Sequence, residues 1–364
     1  MFSGSLVAIV TPMQDDGAID YEAWDRLLDL HLHSGTSGVV VGGSTGESVT
    51  LTDHELGALL ARARRRIQGR MALIAGVGAS STAAVVERVR GLAGAGLDAL
   101  LVVTPPYNRP TQEGLYRHFA AIGLVSPAPI LLYNVPGRTG VDMLPPTVGR
   151  LAELPGIIGI KEAVGDMGRI RELLNVAPKG FALLSGDDAT ACEAVLAGAQ
   201  GVISVTANVA PAAVAAVMSA ARRGERALAE KLDGPLAALH QDLSLESNPI
   251  PVKWALADMK MINSGIRLPL TWLSVALQPR VRAALLAAAL LTTTSCSWIH
   301  HGNKSGCREP AIGGDTKNLP ALQVPSGLDT PDTRNAIKIP PLTEPERPRA
   351  ANEPCLSRPP NFQR

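Results

Sequence analysis

Short apolar runs recur along the first 205 residues at intervals of roughly 30 residues, and an amphipathic segment follows each run. The runs are almost wholly apolar, as is typical of parallel strands that are covered on both faces. Eight such β–α units predict an α/β protein with a (β/α)8 TIM barrel. The predicted strands are Leu6–Val10, Gly38–Val41, Ala72–Val77, Ala99–Val103, Ile130–Tyr133, Ile157–Ile160, Phe181–Leu184 and Gly201–Val205.

The segments between the strands carry helical periodicity and helix-start signals. Thr52, Ser81 and Thr111 stand where an N-cap is expected. A doubly wound open sheet is the alternative architecture, but its dinucleotide fingerprint is absent after the first run. The clearest predicted helices are Tyr21–His33, Asp53–Ile67, Thr82–Leu92 and Gln112–Val125.

The pattern changes after the eighth unit. Four more helical segments predict a helical C-terminal subdomain, and the sequence then becomes rich in proline without periodicity, which indicates disorder. We therefore predict a barrel over residues 1–223, a helical subdomain over 224–291 and a disordered, lipoprotein-like extension over 292–364. The four helical segments are Pro211–Arg223, Glu225–Gln241, Pro249–Asn263 and Thr271 to about Leu291.

Composition narrows the class of protein. The net charge is +1 and aromatic residues make up 3% of the chain, so nucleic acid is not an expected partner. Of the four cysteines only Cys192 lies in the well-patterned part, which indicates a reduced, cytoplasmic protein. The first residues lack the charged and apolar regions of a secretory signal.

Lys161 is the first candidate for chemistry, because it follows the buried run Ile157–Ile160. Burial disfavours the charged form of an amine, and a neutral amine is a nucleophile toward a carbonyl group. This is the requirement of an enzyme that forms a Schiff base. The alternative is a lysine that reaches the rim and pairs with an acid such as Glu162.

Other polar residues stand at the ends of neighbouring strands, where TIM barrels carry their active sites. The loop GGSTGES at 42–48 offers backbone N–H groups with Ser44 and Thr45, and suits a carboxylate. Tyr133 and Tyr107 could form a hydroxyl chain with Thr45 that moves protons. Arg138 presents a planar fork to a second carboxylate.

Seven segments resemble the dihydrodipicolinate synthase (4-hydroxy-tetrahydrodipicolinate synthase) family of the bacterial lysine pathway. The likeness covers residues 1 to about 291. The segments are GSTGES at 43–48, TPPYNRP at 104–110, YNVPGRTG at 133–140, IIGIKEA at 157–163, LLSGDDA at 183–189, GVISVTAN at 201–208 and NPIPVKWAL at 248–256.

The resemblance implies a role for each site residue. Lys161 would form a Schiff base with pyruvate, and Tyr133, Thr45 and Tyr107 would relay protons, with Tyr107 supplied by a neighbouring subunit. Ser44 and Thr45 would hold the pyruvate carboxylate, Gly186 and the backbone of Ile203 would line the site, and Arg138 would bind the carboxylate of L-aspartate 4-semialdehyde. No cofactor and no metal are implied, and the expected assembly is a homotetramer, a dimer of dimers.

Three rival functions remain open. N-acetylneuraminate lyase and 2-keto-3-deoxy sugar acid aldolases share the lysine and the glycine-rich loop, but Arg138 favours a substrate with a second carboxylate. A catalytically inactive barrel that serves as a scaffold is the rival from another class. Retention of all the relay residues argues against it.

The segment at 280–296 resembles a lipoprotein signal that ends at Cys296. Its apolar run is too short to span a bilayer, and it follows a folded barrel, so no membrane association is predicted for the barrel. Cys296, His300, His301 and Cys307 fit no standard zinc-finger spacing, and no metal site is predicted there.

Overall fold

The structure is a computed structural model that describes residues 2–298, with side chains described as far as residue 289. Eight parallel strands pair in chain order and close into one barrel, since β1 pairs with both β2 and β8. This confirms the predicted TIM barrel. The strands are β1 (Gly4–Ala8), β2 (Gly38–Val41), β3 (Ala72–Val77), β4 (Ala99–Val103), β5 (Ile130–Asn134), β6 (Ile157–Glu162), β7 (Ala182–Ser185) and β8 (Gly201–Ser204).

Three of the predicted strands, β2, β3 and β4, begin and end at the observed residues. The strand β1 lies two residues earlier than predicted. The strand β6 continues to Glu162, because its ladder with β5 extends to the pair Asn134 and Glu162. Lys161 therefore lies within the strand rather than beyond its end, where backbone pairing on both sides fixes its direction.

Helices surround the barrel, and the N-caps explain where several of them begin. Thr52 and Glu55 form a reciprocal capping box, and Thr111 accepts a hydrogen bond from the backbone of Gly114, whereas Ser81 makes no side-chain cap bond. The helices are α1 (Tyr21–His33), α2 (Asp53–Ile67), α3 (Thr82–Gly91), α4 (Gln112–Gly123), α5 (Pro136–Thr139), α6 (Pro145–Ala152), α7 (Met167–Val176), α8 (Asp188–Leu196), α9 (Pro211–Arg222), α10 (Arg226–Asp233), α11 (Ala237–Asp242), α12 (Ile250–Asp258) and α13 (Gln278–Trp298).

The C-terminal helices differ from the prediction at proline residues. The single helix predicted over Glu225–Gln241 is wrong, because a 3₁₀ turn at Gly234–Leu236 separates α10 from α11, and Pro235 lacks an N–H group for a continuous helix. The last helix begins at Gln278 rather than Thr271. That start puts Pro279 in the first turn, where its ring is tolerated.

The core has two layers, as alternation along the strands requires. Side chains such as Leu6, Ile74 and Ile203 fill the barrel interior. Their neighbours along the strands, such as Val7, Leu73 and Val202, pack between the sheet and the helices; none of the six is more than 2% exposed. The barrel interior is therefore a packed core rather than a channel, and a cavity lies above it at the carboxyl ends of the strands.

Residues up to Cys296 form one compact unit, and the division between barrel and helical subdomain stays a prediction. Helix α13 continues through residues 292–298, which the sequence assigns to the disordered extension. The disorder and the cysteines predicted beyond residue 298 lie outside the described residues. Within residues 2–298, none of the helices has the length and apolar character needed to cross a bilayer.

Candidate active site

The loop at residues 42–48 lies across the carboxyl end of the barrel because Gly76 leaves room for it. A Cβ atom at Gly76 would lie 2.3 Å from the carbonyl oxygen of Gly42, so no other residue allows this approach. The Thr11 hydroxyl donates to the Gly46 carbonyl at 2.8 Å and ties the loop to the end of β1. The loop thereby holds Ser44, which is half-buried, and Thr45, which is buried, above the strands.

Lys161 and Tyr133 lie side by side on adjacent strands, where they are register partners. Both are nearly buried, with 5% and 7% of their surface exposed, and the Nζ atom of Lys161 lies 4.5 Å from the centre of the Tyr133 ring. Glu162 faces the other side of the sheet and is bonded to Asn134. The pairing of Lys161 with Glu162 considered from the sequence does not occur.

Gly186, which follows β7, gives the lysine its space. A Cβ atom at this position would lie 2.8 Å from Cε of Lys161 and 2.9 Å from Cβ of Ala163. The N–H group of Gly186 donates to the Glu162 carbonyl at 2.6 Å, which continues the pairing of the two strand ends. A side chain here would displace the amine from its position.

Asn248 connects Arg138 with Thr45, a link that the sequence did not predict. Arg138 lies on α5, and its Nη2 atom donates to the backbone carbonyl of Asn248 at 2.8 Å. The side-chain amide of Asn248 donates to Oγ1 of Thr45 at 2.9 Å. The only signal in the sequence was the motif NPIPVKWAL, in which Asn248 is the first residue.

A buried ion pair holds the loop at residues 42–48 through Glu47. Nζ of Lys253 on α12 lies 2.5 Å from Oε1 of Glu47, and both side chains are fully buried. The backbone N–H of Arg267 donates to the other carboxylate oxygen of Glu47 at 3.1 Å. Burial lowers the pKa of Lys253, against the raising effect of Glu47. No sequence pattern indicates a role for Lys253, since only the fold brings it to Glu47.

One cavity of about 200 Å³ at the carboxyl end of the barrel brings six of the predicted residues together. The other two predicted residues, Tyr107 and Ile203, do not line it. Tyr107 is 92% exposed with a φ of 74°, and Ile203 is fully buried in the barrel interior. The six that line it are Ser44, Thr45, Tyr133, Arg138, Lys161 and Gly186.

The hydroxyl chain predicted from Tyr133 through Thr45 to Tyr107 is not closed within one chain. In residues 2–298, the hydrogen-bonding partner found for the Thr45 hydroxyl is Asn248. The exposed Tyr107 ring stands outside the cavity of its own chain. Among the described residues, no group of three or more His, Cys, Asp or Glu side chains is arranged to hold a metal ion.

Polar residues of α8 and α11 also line the cavity. Asp188 and His240 are among them, and His240 contacts the Thr206 hydroxyl at 2.9 Å and Asp233 at 3.3 Å. Burial favours the neutral ring, but the hydrogen bond to Asp233 and the Asp188 carboxylate outweigh it and raise the pKa of His240. Asp188 belongs to the segment LLSGDDA at 183–189 that carries the family resemblance, but no role was predicted for it.

Comparison with known proteins gives consistent results over the whole barrel. The family model described as the dihydrodipicolinate synthetase family matches residues 1–288. The chain is 52% identical to the 4-hydroxy-tetrahydrodipicolinate synthase of Methylococcus capsulatus and 54% identical to that of Laribacter hongkongensis. Each alignment covers 80% of this chain and all of the relative.

Solved structures agree with this match. The chloride-inhibited dihydrodipicolinate synthase of Acinetobacter baumannii, solved in complex with pyruvate, is 46% identical with a TM-score of 0.78, covering 79% of this chain and 99% of that one. The Thermotoga maritima enzyme is 38% identical with a TM-score of 0.78, covering 80% and 99%. With its barrel, its buried lysine and these matches, the chain belongs to the dihydrodipicolinate synthetase family.

Proposed function

We propose that this chain is a lyase that condenses pyruvate with L-aspartate 4-semialdehyde to 4-hydroxy-tetrahydrodipicolinate, in the biosynthesis of diaminopimelate and lysine. The observation that carries the proposal is the position of Lys161. Its amine opens into a cavity that also contains the Ser44–Thr45 loop and Arg138. The names of the curated relatives support the same reaction.

The amine of Lys161 adds to the C2 carbonyl of pyruvate, and water leaves to give an imine. Loss of a methyl proton gives an enamine, whose C3 atom attacks the aldehyde carbon of the second substrate. The α-amino group of that substrate then replaces Lys161 at C2 and closes the ring. One water is lost overall, and the imine itself accepts the electrons, so the reaction needs no bound cofactor.

Two anion sites hold the two carboxylates in this scheme. Ser44 and Thr45 bind the carboxylate of pyruvate next to Lys161, and Gly186 leaves the space in which the imine forms. Arg138 lies at the open side of the cavity, where it binds the carboxylate of the aldehyde with a planar fork. Ile203 contributes to the floor as part of the packed barrel interior.

Proton transfer is assigned to Tyr133, Thr45 and Tyr107. Tyr133 is the hydroxyl-bearing residue on the strand next to Lys161, and its ring centre lies 4.5 Å from Nζ of Lys161. Tyr107 projects from the protein with 92% of its surface exposed, and Val49, which follows the 42–48 loop, is exposed to the same extent. We infer that a neighbouring subunit receives this ring and that its own Tyr107 completes the relay in return.

The assembly we propose is a homotetramer made of two dimers, in which each tight dimer completes two active sites. One solved relative, 38% identical, is described as a monomeric variant, so the assembly has to be measured for this chain. Equilibrium ultracentrifugation gives the mass directly. The single cysteine that the structure describes with its side chain, Cys192, is free and buried, which supports a cytoplasmic location.

The proposal is tested by comparing substrates. Purified protein should consume pyruvate only when L-aspartate 4-semialdehyde is present, and should cleave N-acetylneuraminate and 2-keto-3-deoxy sugar acids at background rates. Preferred cleavage of N-acetylneuraminate would assign the chain to the lyase branch. Absence of activity on all of these substrates, in protein that is correctly folded, would favour the scaffold.

A further inference from the structure

A buried polar cluster lies behind Lys161, on the outer face of the sheet. Tyr133 pairs with Lys161, and the next residues along the two strands, Asn134 and Glu162, pair with each other. Successive side chains of a strand point to opposite faces. Asn134 and Glu162 therefore face the helices, and both are fully buried.

Glu162 is surrounded by hydrogen-bond donors. Nδ2 of Asn134 lies 3.2 and 3.1 Å from its two carboxylate oxygens, and the backbone N–H of Val164 donates to Oε1 at 2.9 Å. Nη1 of Arg169 on α7 lies 3.8 Å from Oε2. This environment suits an ionised carboxylate, which only accepts hydrogen bonds.

The same cluster holds the segment that carries Arg138. Asn134 donates to Asp142 at 2.8 Å and accepts from the backbone of Met143 at 3.0 Å. Arg169 forms a two-pronged contact with Asp142, at 2.6 and 3.1 Å. Residues 135–141, which include Arg138, are therefore held at both ends, by Asn134 before them and Asp142 after them.

The cluster is short of positive charge, because Arg169 faces two carboxyl groups. Burial opposes ionisation of Asp142, but the hydrogen bonds from Arg169 and Asn134 outweigh it and lower its pKa. Burial raises the pKa of Glu162 to about 7, against the hydrogen bonds from Val164 and Asn134. Asp142, from the segment after α5, and Arg169, from α7, are the charged groups that act on Glu162 in the described chain.

We propose that Glu162 is a positioning residue for the condensation, because its carboxylate fixes the strand ends that carry Tyr133 and Lys161 and, through Asn134, the segment that carries Arg138. This inference rests on the function proposed above. Protonation of Glu162 removes acceptor capacity that the surrounding donors require, so the network loosens as the pH falls through neutrality. Glu162 contacts neither substrate and acts only through its neighbours.

The test uses Glu162→Gln, which keeps the shape but places a donor among donors. The measured quantity is the rate of the pyruvate adduct trapped by borohydride, from about pH 6 to pH 8. We expect the adduct rate to fall by about tenfold, since small displacements of reacting groups are costly. We also expect a shallower pH dependence, because the glutamine cannot titrate. Glu162→Asp keeps the charge and should restore the dependence in part.

Asp142→Asn provides a second variant with a different signature. It weakens the anchor of the Arg138 segment, so the KM for the aldehyde should rise by about fivefold to tenfold while the pyruvate adduct rate stays near that of the wild type. Thr36→Val is the matched control. It removes a buried hydrogen bond to His31, at 3.0 Å, far from the cavity, and should reduce stability alone.

The outcomes distinguish failure of the proposed function from failure of the positioning role of Glu162. If the wild type forms no adduct with pyruvate, the proposed function fails. If the wild type is active but Glu162→Gln behaves like Thr36→Val, with lower stability and an unchanged adduct rate and pH profile, the positioning role is wrong. If Glu162→Gln does not fold, Asp142→Asn decides, and an unchanged KM for the aldehyde overturns the proposal.

Discussion

The side-chain amide of Asn248 donates a hydrogen bond to Oγ1 of Thr45 at 2.9 Å, across 203 positions of the chain. Its backbone carbonyl accepts from Nη2 of Arg138 at 2.8 Å. One residue of the C-terminal segment therefore connects Thr45 with Arg138, the residues that we propose bind the carboxylates of pyruvate and of the aldehyde.

Replacement of Asn248 by alanine should slow the half-reaction with pyruvate, because it removes the amide that bonds Thr45 but keeps the backbone carbonyl that Arg138 contacts. The Thr45 hydroxyl loses the bond that orients it, and we expect kcat/KM for pyruvate to fall by about tenfold, equivalent to about 1.4 kcal/mol. Steady-state kinetics with both substrates measure this. The control is Asn263→Ala, which removes hydrogen bonds to Gln14 and Asp20. Equal kinetic constants for the two variants would show that Asn248 does not orient the Thr45 hydroxyl.

Replacement of Arg138 by alanine should separate the two substrates. The KM for L-aspartate 4-semialdehyde should rise by about 100-fold, since two charge-assisted hydrogen bonds are lost, while borohydride trapping of pyruvate stays near the wild-type rate. Arg138→Lys, with a point charge instead of a fork, should be intermediate. Arg150→Ala, on the outer surface beside Glu113, is the control. Loss of both activities together would indicate a structural role for Arg138.

The buried pair of Lys253 and Glu47 should show strong coupling in unfolding experiments. Lys253→Met leaves a buried carboxylate without its partner and should lower the free energy of unfolding by about 3–5 kcal/mol. Adding Glu47→Gln removes that charge, so the double variant should be more stable than the sum of the single effects predicts. Urea unfolding of all four proteins measures the coupling. Strict additivity would show that the pair does not act as a unit.

Two buried histidines should make the protein sensitive to acid. Burial lowers the pKa of His31 and of His118 to about 4. The unfolded state then binds more protons than the folded state between about pH 6.5 and pH 4, so stability falls as the pH falls, by about 3 kcal/mol for each histidine. Urea unfolding at several pH values should show a shallower decline for His31→Gln, and an unchanged one for the exposed His54→Gln. No difference between the two variants would contradict this assignment.

The site residues that could be predicted from the sequence are those whose positions depend only on the order of the strands. Lys161 and Tyr133 end neighbouring runs, and parallel strands pair in register, so their proximity followed from the alternation of apolar segments. The glycine-rich loop was predictable for the same reason, since it follows β2 directly. Lys161, Tyr133 and this loop all lie at the carboxyl end of the barrel, where all eight parallel strands end.

The contributions of the C-terminal segment could not be predicted from periodicity. Asn248 and Lys253 reach Thr45 and Glu47 only after more than 200 residues have folded between them. Their positions depend on how α12 packs against the barrel, which no local pattern encodes. The break between α10 and α11 was missed for a local reason, because the apolar spacing continues across Pro235.

In the proposed reaction the Lys161 amine is the nucleophile, and intact-mass analysis after treatment with pyruvate and borohydride detects its adduct. We expect one reduced pyruvate adduct per chain, located at Lys161 by peptide mapping, and no adduct in Lys161→Ala. The matched variant Lys179→Ala, in which an exposed lysine is removed, should be labelled like the wild type. Labelling of Lys161→Ala at another lysine, or a wild type that stays unlabelled, would show that Lys161 is not the nucleophile.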